Sequence, residues 1–377
     1  MPFTGKATYS AGSTLPELAE DVGDIVGIVS PYETPLLDHL GDPQRAATST
    51  VHQWLEDTLL PNTDRINDDD LDGFNDEIFE VTNGSRFRIG DQVQASGSSE
   101  VLFVTGISGN ELTVVRGYGN TTAEELVDDQ TLHILGNAAL EGDDAPSPRF
   151  TSRVRQSNYT QIFTATVEVS GSQLAAKQAA IADELDYQKQ ERLRELLRDL
   201  ENCVINGTSP ASTPEGSAST RRTMRGIVPS IQTTIDDAGG VALTEDRLNS
   251  VMRGIWEQSS GGVDTIVVGG LQKRAINQFI ASSRGYDARN TRYRDMVSVY
   301  ESDFGVCRVV LSRWVPRDAV LLIDSSRIDV LPLSARSFHY KPLATTGDRT
   351  TGQVIGEYTV EMLNENAHGL IRNLSVA

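Results

Sequence analysis

Residues 18–62 read LAEDVGDIVGIVSPYETPLLDHLGDPQRAATSTVHQWLEDTLLPN. The stretch begins as an apolar run, passes a turn broken by Pro31 and Pro35, and ends in a polar strand around Trp54. It contains no long capped helix and no strand pair of its own, so it cannot bury its apolar groups within itself. It has to lie on other surfaces, whether of its own subunit or of neighbours. Leu18, Val22, Ile25 and Val29 stand at helical spacing, which predicts a turn or two of amphipathic helix over Leu15 to Val29, ended by Pro31 and Pro35. An ordered arm of this kind points to an assembly protein rather than a self-contained enzyme.

The chain of 377 residues has room for two or three domains and for a core that needs no staples. No apolar run approaches the ~20 residues that span a bilayer, and MPFTGKATYSAGS lacks the regions of a signal peptide. Cys203 and Cys307 form no spacing motif and read as buried small hydrophobes in a reducing compartment. The net charge of −20 argues against a nucleic-acid groove, because phosphate contacts need clustered cations. Five lysines stand against 28 arginines, and 30 aspartates against 23 glutamates. Either a high-GC genome or a high-salt environment accounts for that balance.

Outward from the arm, residues 51–61 read as extended and 62–77 (NTDRINDDDLDGFNDE) as a charged surface loop. Six short β runs follow over 78–135: IFEVTN, SRFRIG, DQVQASG, EVLFVTGI, NELTVVRGY and TLHIL. Gly or Asn punctuates them at the spacing of a small barrel or sandwich, with a hairpin around Ser108, Gly109 and Asn110. This reads as an inserted all-β subdomain, left through a linker at 141–150. Residues 151–170 are extended again. A long helix is expected over 172–205, with Leu174, Ile181, Leu185, Leu196, Leu200 and Val204 as its apolar stripe. Residues 207–222 have the composition of a flexible loop. An α/β texture then gives a helix over 244–259 capped by Thr244, a strand at 264–270 and a helix over 271–283. Strands are expected at 296–302, 306–313, 319–324 and 327–333, two long ones over 336–363, and a last one in HGLIRNLSV.

Catalytic signatures are absent. The chain has no Walker loop, HExxH, zinc spacing or GxSxG elbow, and its five histidines stand singly. One weak metal site remains: Asp68, Asp70 and Asp72, followed by Gly73, fit the first half of a calcium loop. Position 12 of that loop is Phe79 rather than a bidentate Glu, and Glu80 or Asp76 would have to substitute. Calcium or magnesium would order the loop; a solvated acidic loop is the plain alternative.

The order of elements, together with SPYETPLLDHLGD (30–42), ATSTVHQWLEDTLLPN (47–62), VTGISGNELTVVRGYGNTTA (104–123), NGTSP (206–210), RRTMRGI (221–227) and GEYTVEMLNENAHGLI (356–371), resembles the major capsid proteins of tailed viruses, bacteriophage or archaeal. These have the Hong Kong 97-like α+β fold; the closest texture is that of the subfamily with a β-insertion in the extended loop. The resemblance runs along essentially the whole chain. It implies an N-terminal arm at 1–50 reaching over a neighbour and an extended loop at 51–80 and 137–165, with a β-barrel-like subdomain inserted at 81–136. It further implies a peripheral domain at 166–227 and 336–377 around the spine helix 172–205, and an axial domain at 228–335.

As function, the resemblance implies a structural, non-enzymatic shell protein. Pentamers and hexamers of itself would build an icosahedral head around packaged double-stranded DNA, in the virion, after assembly in the host cytoplasm. Implied partners are a portal, decoration proteins and weak, non-specific contact with DNA, with no membrane. The short start at Met1 favours a separate scaffolding protein. Some relatives lock the shell through an extended-loop lysine; no lysine lies between Lys6 and Lys177 here, so no such cross-link is expected. Shell stability would then rest on the arm, and removing residues 1–50 should leave folded subunits that fail to close shells. The alternatives are an encapsulin-type compartment and a carbohydrate-active enzyme with a β-module, which would need two carboxylates facing a cleft.

Overall fold

The computed structural model describes residues 33–68, 75–142, 144, 148–151, 153–175, 183–283, 299–344 and 347–376. In chain order come α1 (Pro35–Leu40), β1 (Val51–Glu56), β2 (Thr63–Arg65), β3 (Ile78–Glu80), β4 (Asp91–Ala95), β5 (Val101–Ser108), β6 (Glu111–Val115), β7 (Thr131–Asn137), β8 (Val154–Tyr159) and β9 (Gln161–Ser170). They are followed by α2 (Gly171–Ala175), α3 (Glu184–Asn206), α4 (Ile227–Ser230), β10 (Ile235–Asp237), α5 (Glu245–Gln258), β11 (Thr265–Val268), α6 (Gly270–Ser283), β12 (Val299–Ser302), β13 (Gly305–Leu311), β14 (Val320–Ile323), β15 (Ile328–Pro332), β16 (His339–Pro342), β17 (Arg349–Met362) and β18 (Gly369–Arg372). No described helix is long and apolar enough to cross a membrane. The chain divides into two units, Leu55–Arg155 and the remainder, with β1 and β8 pairing as a two-stranded ribbon.

In the larger unit the runs TIVV of β11 and VLLI of β14 have no exposed residue. A strand buried on both faces reads as a continuous apolar run, and these two lie centrally in a six-stranded sheet ordered β10-β18-β14-β11-β13-β12. Side chains alternate between faces. Ile266, Val268, Val320 and Leu322 meet Leu248, Val251, Met252 and Ile255 of α5. Val267, Leu321 and Ile323 meet the second core, built on Leu196, Leu200 and Val204 of α3. A second sheet is centred on the 14-residue β17, with β9 along one side and β15 and β16 along the other. Its Phe163, Val167, Val354, Val360 and Met362 pack into the same core as α3.

The smaller unit is a six-stranded antiparallel sheet ordered β2-β7-β4-β5-β6-β3. The bridge from Ile66 to Val81 joins its two outer ends, which closes it into a small barrel. Phe79, Val93, Leu102, Leu112 and Leu132 fill the interior. Glu100 is 1% exposed and Arg116 grips it bidentately, Nε–Oε1 and Nη2–Oε2 both at 2.8 Å. Burial pushes the Glu100 carboxyl up. The Arg116 guanidinium and the main-chain N–H groups of Glu124 and Gly117 more than offset that, leaving it below the usual carboxylate range.

Several expectations change. Pro35 starts a helix instead of ending one: it occupies the first turn of α1, where no N–H partner is lost. The helix expected over 172–205 is not continuous, because Asp183 is extended (φ −138°) and caps the N–H groups of Leu185 and Asp186. The 23 residues of α3 therefore span ~35 Å rather than ~50 Å. Leu174 is 41% exposed and lies off the stripe. The run SRFRIG is no strand; Asn83 caps a 3-10 turn over Gly84–Arg86, and Ile89 points outward. The loop 62–77 contains β2, whose Asp64 is buried against the Asn83 N–H and Arg86. The inserted subdomain is accordingly wider than 81–136, since β2 and β3 belong to its sheet. The helix expected over 15–29, and Ile181, lie outside the described residues.

Candidate functional site

The segment GEYTVEM (356–362) of β17 alternates, and both of its faces are covered. Tyr358, Val360 and Met362 pack towards α3. Glu357, Thr359 and Glu361 face the other way and are only 2%, 0% and 3% exposed. Two carboxylates on a buried face are costly unless paired and hydrogen-bonded. What pairs them comes from three distant parts of the chain.

Glu361 takes the arm. Its Oε1 accepts from Arg45 Nη2 at 2.8 Å, and its Oε2 lies 2.5 Å from His52 Nε2. The same Arg45 nitrogen donates to Asp329 Oδ2 at 2.7 Å. Asp329 stands directly across from Glu361 in the β15–β17 ladder, so Arg45 neutralises a like-charge cross-strand pair. The two carboxylates hold its guanidinium above even the usual arginine range. Ala47 makes a parallel bridge to Leu333, exchanging main-chain bonds with Pro332 and Ser334.

Glu357 takes the strap RRTMRGI. Its Oε1 accepts from Arg222 Nη2 and from Thr160 Oγ1, both at 2.6 Å, and its Oε2 pairs with Arg336 Nε at 2.7 Å. Arg222 also donates to the Thr160 carbonyl at 2.6 Å. Buried Asn158 uses its whole amide: Nδ2 donates to the carbonyls of Arg225 and Val360, and Oδ1 accepts from the N–H groups of Arg225 and Tyr159. The strap passes so close to the end of α3 that Gly226 admits no side chain. A Cβ there would sit 2.7 Å from the carbonyl oxygens of Cys203 and Val204.

A third carboxylate seats the start of the arm. Glu201 of α3 is 0% exposed; its two oxygens accept from the N–H groups of Leu36 and Leu37 at 3.2 Å, and Ser312 Oγ donates to Oε1 at 3.2 Å. It supplies the partners that the first turn of α1 lacks. Burial pushes its carboxyl above the usual range. Leu36 is itself fully buried in the core, Trp314 Nε1 donates to the Glu33 carbonyl, and His39 Nε2 lies 2.7 Å from Thr265 Oγ1.

The arrangement is a clamp. It fixes residues 33–52 on the subunit's own core and ties them, through β17, to the strap and the end of β8. A cut after residue 50 would remove Leu36 and Arg45 from the subunit. Residue patterns did not reveal the clamp: Leu36, His52, Arg222, Glu357 and Glu361 lie within segments quoted above (SPYETPLLDHLGD, ATSTVHQWLEDTLLPN, RRTMRGI and GEYTVEMLNENAHGLI), but Arg45, Asn158, Thr160, Glu201, Asp329 and Arg336 lie in none of these four.

Of the expected metal ligands, Asp70 and Asp72 lie outside the described residues. Asp68 Oδ2 accepts from the Glu80 N–H at 3.1 Å, and the Asp68 N–H donates to Asp128 Oδ1 at 3.1 Å. Among the described residues, no group of three or more His, Cys, Asp or Glu is placed to hold a metal ion.

A family model described as SU10 major capsid protein matches residues 3–375. Among solved structures, the chain is similar to one from Gordonia phage Cozz, with 12% identity, coverage of 100% of this chain and 98% of that one, and a TM-score of 0.54. It is also similar to the capsid of a native GTA particle (9% identity, 99% and 100% covered, TM-score 0.55). A third likeness is to a structure from Mycobacterium phage Bobi (11% identity, 96% of each chain, TM-score 0.52). At these identities the structures speak for the fold, which is Hong Kong 97-like. No curated protein matches the chain.

Proposed function

The chain belongs to the SU10 major capsid protein family, and from that premise we propose that pentamers and hexamers of it close into the icosahedral head of a tailed virus around double-stranded DNA. The observation that carries the reading is the family match over 3–375, essentially end to end. The role is structural rather than catalytic: the buried carboxylates are occupied in holding the subunit together. The clamp supports such a role, because a shell needs subunits that present the same contacts many times over.

In this reading the N-terminal arm reaches over a neighbouring subunit, and residues 33–52 anchor it on its own. The shell assembles in the host cytoplasm, carries a portal, and touches packaged DNA weakly and without sequence preference. The acidic balance suits that last point, since mild repulsion keeps the genome from adhering to the wall. Electron microscopy of particles made from this chain tests the proposal. Closed shells with five- and six-fold clusters and DNA inside are expected. A shell enclosing an enzyme, or no closed shell at all, would overturn it.

A further inference from the structure

β9 is an edge strand. All ten of its residues pair with β17, from Gln161 opposite Tyr358 to Ser170 opposite Arg349, and among the described residues no strand lies on its other side. The Gly171 N–H donates to the Asp348 carbonyl at 3.1 Å, which carries the ladder one pair further. Bonded and non-bonded pairs alternate along an antiparallel ladder. The main-chain groups of Val169, Val167, Ala165 and Phe163 therefore reach β17. Those of Ser170, Glu168, Thr166, Thr164 and Ile162 point to the other edge.

Upstream, that edge is taken. The Thr160 N–H, of the same parity, donates to the Thr50 carbonyl at 3.0 Å, the Thr160 carbonyl accepts from Arg222, and β8 pairs with β1. The arm then turns away to meet Leu333 through Ala47, and the edge from Ile162 to Ser170 is bare. A cavity of about 760 Å³ opens between Gln161, Ile162 and Thr164 and the loop residues 215–217 and 220–223, so the loop does not lie along the edge. Folded proteins blunt such edges with lysine, proline, a bulge or shortness, because a bare row of N–H and C=O groups templates another strand. β9 reads QIFTATVEVS, with no lysine or proline, and its ladder has no register shift.

We propose that this bare edge pairs antiparallel with the same edge of a second copy, joining two four-stranded sheets into one. The inference deepens the shell reading and rests on it: an icosahedral head has two-fold axes between its five- and six-fold clusters, and an edge that meets itself is an isologous contact on such an axis. The edge suits its own copy. Full overlap of 162–170 with itself sets Thr166 opposite Thr166, Thr164 opposite Glu168 and Ile162 opposite Ser170. Threonine pairs across strands are favourable and like charges are not. Glu168 is the one charged residue of β9; it does not meet its counterpart in this register, and Arg349 neutralises it at 2.9 Å.

The test uses the full-length chain at the concentration at which it assembles. Thr166→Cys in a Cys203→Ala background, treated with a short bis-maleimide, should give covalent dimers about tenfold above Cys203→Ala alone, since Cys307 is buried. Thr166→Pro removes an N–H that points away from β17, so the subunit's melting midpoint should hold while the sedimenting, assembled fraction falls about tenfold. Thr166→Lys, which sets two ammonium groups against each other, should act alike if the proline variant melts early. Absence of the Thr166→Cys dimer overturns the pairing, and so does unchanged assembly of folded Thr166→Pro and Thr166→Lys. Closed, DNA-filled shells without the dimer sink the pairing and spare the head; the dimer without closed shells supports the pairing and sinks the head.

Discussion

Glu100 in the barrel and Glu361 in the clamp are 1% and 3% exposed, and both are held by arginine, but their partners come from different distances along the chain. Those of Glu100 lie 16, 17 and 24 residues away. Arg45 and His52 lie 316 and 309 residues from Glu361, and Arg222 lies 135 from Glu357. Closing a short loop costs little entropy, and contacts between remote segments form only when most of the chain is already in place. The barrel is thus wired as a module. The larger unit is laced shut, its arm, strap and last long strand fixed together or not at all. Buried carboxylates of equal accessibility can therefore serve independence in one region and interdependence in the other.

The strongest test of that contrast is Arg116→Ala. It strips a nearly buried carboxylate of its counter-ion, which costs ~3–5 kcal/mol in such settings. Chemical denaturation followed by limited proteolysis should show cleavage sites appearing within 55–155 while the larger unit keeps its midpoint. Loss of both together would break the comparison.

Next in size is a pH effect confined to the larger unit. His368 is 0% exposed, and its Nδ1 accepts from the Asp324 N–H at 3.2 Å. Burial lowers its pKa from 6.5 to about 4. The unfolded chain takes up this proton below pH 6.5 and the folded chain only near pH 4. Stability is therefore full above pH 6.5 and drains as pH falls towards 4, by ~3 kcal/mol at most. Melting curves of His368→Gln between pH 7 and 4 should lose that part of the slope.

Glu357→Ala should cost somewhat less, ~2–3 kcal/mol, because the Arg222 and Arg336 side chains, 20% and 42% exposed, can turn towards water. Its signature is location: hydrogen exchange should rise together at the arm (33–52), the strap and β17, and not in the barrel.

Much of the layering was legible because it is local. TIVV and VLLI are fully apolar runs, the Thr244 cap bonds the Arg247 N–H as its position suggests, and the hairpin turns at Gly109 and Asn110. Errors arose where one polar side chain overrode the pattern. Asp64 made a strand out of what read as an acidic loop, and Asp183 started the spine helix late. SRFRIG alternates like a strand, yet the Asn83 cap holds its start as a turn. The clamp was illegible for a deeper reason. Alternation in GEYTVEM normally means one wet face, and no local signal tells that Glu357 and Glu361 meet arginines far away along the chain. The seating of residues 33–50 on their own subunit was illegible on the same ground, since the partners of Leu36 and Arg45 lie in α3, β15 and β17.

The smallest effects make the sharpest comparison, because they perturb each unit without breaking it. Thr244 Oγ1 accepts from the Arg247 N–H at 3.3 Å in the larger unit, and Asn83 Oδ1 accepts from the Ser85 N–H at 3.1 Å in the barrel. Removing either cap by alanine should cost ~1 kcal/mol. If the barrel is a module, each substitution moves only its own unit's unfolding midpoint. The double variant then shows the two shifts unchanged, since distant independent sites add within ~0.5 kcal/mol. If Asn83→Ala also lowers the midpoint of the larger unit, folding of the barrel and closure of the clamp are coupled. The difference in wiring would then describe the native contacts without governing how the chain comes apart.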